Sequence, residues 1–178
     1  MHMNLKKTIR RMAYSAILAA IITVIVIAGG FFDIIDLACA SLAALILQVV
    51  YTEMGGKSAV MIYAVSAALS FILMPLRSAT LYFVTFFGYY PILRGVLLRK
   101  MKSKKVINLL LCLLFNAVMI VLYAAFRTVF GIENEPVYVY VLLIISANIF
   151  FACFEMLMGK IMILYNYKIK KLFKTQSK

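Results

Sequence analysis

The chain has 178 residues, 66% of them hydrophobic, and a mean hydropathy of +1.03. A water-soluble domain of that size turns roughly half of its residues to solvent, so this composition excludes one. The formal net charge of +13 would suit nucleic acid in a soluble protein. Here the basic residues stand beside the apolar runs, as in an inner-membrane protein, and no nucleic-acid partner is expected.

Apolar runs of about 20 residues, broken by short polar punctuation, define an all-α, polytopic membrane protein. Six transmembrane helices in one bundle are predicted, roughly over residues 12–31, 36–52, 58–74, 78–98, 106–126 and 137–165. Residues 1–11 form a basic N-terminus, 12–165 the membrane domain and 166–178 a basic tail. Lys6, Lys7, Arg10 and Arg11 resemble the n-region of a signal peptide. The apolar run behind them continues for about 20 residues without a small-x-small cleavage site, so it reads as an uncleaved first span. The first two spans are rich in small residues. Ala16 with Ala20, and Ser15 with Ala19, have the small-xxx-small spacing that lets another helix approach closely.

The connections read FFDI (31–34), EMGGK (53–57), PLR (75–77), KMKSKK (100–105) and RTVFGIENEP (127–136). Gly55-Gly56 and Pro75 are turn formers where turns are needed, and Pro136 suits the first turn of the last helix. Inside the fourth span stands FFGYYPILRG (86–95). Pro91 removes a helical hydrogen bond and crowds the carbonyl of Phe87, so a kink is expected there, with Gly88 giving room for the bend or for a close neighbouring helix. Arg94 then lies deep enough to need snorkelling or a partner such as Glu155 or Glu53. The expectation is a kinked inner half that holds Arg94 and the RKMKSKK loop toward a cytoplasmic-side partner. A packing kink with no partner is the simpler alternative.

The charges sort by side. Arg77 and Arg127 stand at one face of the predicted bundle with Asp33, Asp36, Glu133 and Glu135; every other basic residue stands at the opposite face. By the positive-inside rule both termini are expected in the cytoplasm, at the cell membrane. The basic runs RKMKSKK (99–105) and KIKKLFK (168–174) either set this topology or bind anionic lipids at the inner face.

Polar groups within the spans are the candidate functional residues, because unpaired ones are costly in hydrocarbon. Asn116 and Asn148 both fall near mid-bilayer at about 1.5 Å per residue. They either hydrogen-bond each other, worth about 1 kcal/mol, or bind a ligand. Glu155 falls near the cytoplasmic interface, where a salt bridge to Lys160 or Arg94 is expected rather than a proton relay. The charged rim lies above Tyr82, Tyr138 and Tyr140, which serve as an aromatic belt or as part of a site capturing a small polar solute. Cys39, Cys112 and Cys153 lie in apolar runs and are expected as buried small hydrophobes without disulfides.

The only histidine is His2. No nucleophile elbow, phosphate-binding loop or zinc-protease motif is present. The expectation is therefore no enzyme, no metal and no cofactor, and any active transport would need a separate ATPase.

The length, the six spans with both termini inside and the run AYSAILAA (13–20) resemble the substrate-binding S component of an energy-coupling-factor (ECF) transporter. In that family an Ala-xxx-Ala motif on the first helix docks onto the transmembrane coupling subunit. The matching positions are Ala16 and Ala20, and the implied partners are that subunit and its ATPases. The family's outward-opening ligand pocket implies Asp33, Tyr82, Asn116, Arg127 and Asn148 as substrate-binding residues. No vitamin-binding or metal-binding subfamily is matched, so the substrate stays open. Two alternatives remain: a membrane scaffold similar to the rod-shape-determining proteins, and a lipid-interacting protein.

Overall fold

The computed structural model describes residues 2–32, 34–101, 103–130 and 137–164, with side chains over 9–32, 34–101, 103–128 and 138–163. Its elements are α1 (His2–Phe31), α2 (Asp36–Met54), α3 (Gly56–Leu73), α4 (Ser78–Tyr82), a π-turn (Phe83–Phe87), α5 (Tyr90–Lys100), α6 (Lys104–Phe130) and α7 (Val137–Leu164). With α4, the π-turn and α5 joined as Ser78–Lys100, six helices are long and apolar enough to cross a membrane. No strand occurs among the described residues. Where one bundle was expected, the chain divides into two compact units, Met1–Val96 and Leu97–Lys178.

In the first unit small residues let the helices close up. Ala19, Ile22 and Val26 of α1, Ala40, Ala43, Ala44 and Leu47 of α2, Ala59 and Ile62 of α3, and Ala79 of α4 are buried. A Cβ at Gly29 would lie 2.6 Å from the Cβ of Cys39 and 3.2 Å from that of Ala79, so three helices converge on this glycine. The carbonyl of Ala19 accepts hydrogen bonds from the hydroxyls of Thr23, at 2.9 Å, and Ser66, at 3.3 Å. That second bond ties α3 to α1. Ser15 and Ala19 therefore do not act as an exposed pair, since Ala19 faces the core, whereas Ala16 and Ala20 are exposed.

The fourth span is interrupted at Gly88–Tyr89, within the Phe87–Pro91 stretch where the kink is expected. The departure begins earlier, in the π-turn, where the Gly88 amide reaches back five residues to the Phe83 carbonyl at 2.8 Å. α5 restarts at Tyr90, so Pro91 occupies a first-turn position whose missing N–H costs little. A π-turn leaves carbonyls without their usual partners. One of them, Val84, accepts the hydroxyl of Tyr63 from α3 at 2.8 Å. Of the two uses expected of Gly88, the close approach of a neighbouring helix is the one observed: the Tyr63 ring of α3 fills the space its missing side chain leaves, and the Tyr51 ring does the same at Gly95.

In the second unit α6 and α7 have 27 and 28 residues. α6 runs on to Phe130, so Arg127 belongs to the helix and not to the following connection. Nothing in 127–130 breaks a helix, and the Thr128 hydroxyl is satisfied by the Ala125 carbonyl at 2.9 Å. Phe115 and Phe151 stack with centroids 4.9 Å apart, and Tyr123 meets Tyr140 edge-on at 5.6 Å. All three cysteines are free; Cys39 and Cys112 are half-buried, and Cys153 is exposed instead of buried.

Candidate functional site

Two polar centres stand out, one in each unit. In the second unit Asn116 of α6 and Asn148 of α7 form a closed amide pair. Each side-chain NH2 donates to the other's oxygen at 2.9 Å. Each also donates within its own helix, Asn116 to the Cys112 carbonyl at 2.9 Å and Asn148 to the Ile144 carbonyl at 2.8 Å. The Cys112 thiol approaches the Asn148 oxygen at 3.5 Å. All four amide hydrogens are thus used, and the pair meets its needs in hydrocarbon without a ligand. Of the two sequence readings, this geometry is that of polar glue between helices.

In the first unit the polar groups gather at the tight α3–α4 hairpin. Met74 and Arg77 of that hairpin pack over Gly30 of α1, where a Cβ would lie 3.0 Å from the Met74 sulfur. Asp36 opens α2 and its carboxylate accepts the amide of Leu37. It lies within electrostatic reach of Tyr82 and of Cys39. Tyr82 is half-buried. On either side of the hairpin Ser70 and Thr80 are fully buried, and their hydroxyl oxygens have no hydrogen-bond partner. Gln48, 1% exposed in α2, likewise has an unpartnered side-chain oxygen. An unmet buried hydroxyl or amide costs about 1–3 kcal/mol. These three groups are buried polar positions without a partner among the described residues, and the sequence does not single them out. Gln48 was visible as an amide in an apolar helix; the burial of Ser70 and Thr80 was not, because hydroxyls are ordinary in membrane helices.

The remaining predicted site residues are separate. Asp33 lies outside the described residues, as do Glu133, Glu135 and Pro136. Arg127 and Arg94 are each half-buried and engaged in an interaction. Ala16 and Ala20 lie one turn apart on the exposed face of α1, beside exposed Ile17 and Ile21. Among the described residues no group of three His, Cys, Asp or Glu side chains is placed to hold a metal ion.

Six helices long and apolar enough to cross a membrane are consistent with a multi-pass membrane protein. In comparisons with known proteins, the chain matches no family model, no curated protein and no solved structure.

Proposed function

We propose that this protein is a solute-binding membrane subunit of the ECF type, with both termini in the cytoplasm. It captures a small solute from the outer face and depends on a separate coupling subunit and ATPases for transport. The observation that carries this reading is the pair of buried hydroxyls of Ser70 and Thr80, one on each side of the α3–α4 hairpin, whose oxygens have no hydrogen-bond partner among the described residues. A fold that leaves such groups unmet pays for a function, and a hydrogen-bonding solute is the simplest group to meet them. The exposed Ala16 and Ala20 supply a surface on which a coupling helix can lie close. Asn116, Asn148 and Arg127, the other residues that the ECF resemblance implies, belong to the second unit.

The test is purification with native neighbours, then mass spectrometry of proteins and bound small molecules. Recovery of a coupling subunit, two ATPases and a bound solute supports the reading. Ala16→Trp combined with Ala20→Trp should abolish that recovery while leaving the fold intact. A second reading, a membrane scaffold without a ligand, is favoured by the self-satisfied amide pair. It predicts recovery of cell-wall or cytoskeletal proteins and no solute.

A further inference from the structure

Gly29, Gly88 and Gly95 each accept a neighbouring side chain so closely that a Cβ would overlap it. Gly159 of α7 does not. A Cβ there would meet no atom of the described residues within 4 Å, although Gly159 is half-buried and follows the fully buried Met158. Glycine inside a helix costs about 1 kcal/mol relative to alanine, and packing among the described residues gives no return for it.

The register of the hairpin locates this opening. Asn116 pairs with Asn148, and the two helices run antiparallel. Lys105 stands eleven residues before Asn116, and Gly159 eleven residues after Asn148. Eleven residues are about three helical turns, so both positions return to the stripe that carries the amides, about 16 Å away along the helices. Lys104 precedes Lys105, Lys160 follows Gly159, and all three lysines are exposed. Glu155, one turn deeper, is the only carboxylate among the described residues of α6 and α7 and is itself engaged. The adjoining surface is apolar and exposed, with Val106 and Leu109 on α6 and Leu157 and Ile163 on α7. Helices of this length span about 40 Å, which exceeds the hydrocarbon core and carries their ends into the headgroup layer.

We propose that the open space at Gly159, which the register sets level with Lys104 and Lys105 and which Lys160 adjoins in sequence, binds the phosphate headgroup of an anionic membrane phospholipid. The lysines supply the charge, the bare glycine backbone the room, and the flanking leucines and isoleucine the contact for acyl chains. Free phosphate would use only the first two. The site stands apart from the solute-capture reading and does not depend on it.

The full chain is reconstituted in nanodiscs of phosphatidylcholine with or without phosphatidylglycerol, and retained lipid is counted by native mass spectrometry. Phosphatidylglycerol is expected to be held preferentially. Lys104→Gln with Lys105→Gln should weaken retention about 25-fold, about fivefold per lysine. Gly159→Leu should weaken it with every lysine in place, because the open space is filled. Equal retention of the two lipids overturns the proposal. So does wild-type retention by Gly159→Leu, which would leave only unspecific attraction to charge. Inorganic phosphate that displaces phosphatidylglycerol completely points to a free-ion site and also overturns it. Should Gly159→Leu fail to fold, the lysine double variant decides: undiminished retention sinks the site.

Discussion

The hydroxyl of Tyr63 donates to the carbonyl of Val84 at 2.8 Å, and the same tyrosine ring fills the space beside Gly88. One side chain of α3 thus meets a carbonyl freed by the π-turn and fills the groove left by the glycine that follows it. Tyr63→Phe keeps the ring and removes the donor. A loss of about 1 kcal/mol is expected, together with faster hydrogen exchange at the amides around Gly88. Unchanged exchange there would show that the π-turn holds without the tyrosine hydroxyl.

The glycines should separate by what they touch. Gly88→Ala and Gly95→Ala drive a methyl into the Tyr63 and Tyr51 rings, and each is expected to cost about 1–3 kcal/mol in detergent unfolding. Combining Gly95→Ala with Tyr51→Ala should cost less than the sum of the two, since the ring that clashes is gone. Gly159→Ala, with open space around it, should be neutral or stabilising by up to about 1 kcal/mol. If Gly88→Ala and Gly159→Ala unfold alike, the tyrosine contacts do not govern stability.

The amide pair lends itself to a double-mutant cycle. Asn116→Leu or Asn148→Leu alone strands the surviving amide and should destabilise by about 1 kcal/mol. With both replaced by leucine no amide is left unmet, so the double variant should be about as stable as either single one. Strict additivity of the two losses, measured by denaturant titration, would mean that the pair is not coupled.

Ser70 and Thr80 set stability against function. Thr80→Val and Ser70→Ala each remove a buried hydroxyl that has no partner, so stability is expected to hold or rise by about 1 kcal/mol. Under the solute-capture reading the same substitutions should abolish retention of the bound solute seen by mass spectrometry. A variant that is destabilised by several kcal/mol would mean the hydroxyl does have an essential partner within the folded protein.

How far the chain could be read beforehand depended on the range of the interaction. The six spans follow from runs of apolar residues, a local property, and their observed bounds agree within a few residues except where α6 continues past Arg127 and where α1 begins at His2, taking in most of the basic stretch expected to precede it. The depth of Asn116 and Asn148 followed from counting, which allowed their pairing to be considered but not decided. Pro91 illustrates a mixed case. Its local rule reaches the turn at Gly88–Tyr89 but not the irregularity at Phe83–Phe87 that precedes it, where no residue announces a π-turn. The match of Gly88 with Tyr63 and of Gly95 with Tyr51 joins residues far apart in sequence, and no spacing within one span reveals it. Ser70 and Thr80 were missed for the same reason, because what matters about them is what their surroundings lack.

The amide pair has a consequence in any membrane that carries a potential. A full charge crossing the potential is worth about 2.3 kcal/mol per 100 mV. Asn116 and Asn148 are neutral in every protonation state open to them near neutral pH, so neither acidification nor depolarisation exerts a direct pull on their bond. The join between α6 and α7 is electrically silent: it holds with the same strength in a charged membrane and in a resting one.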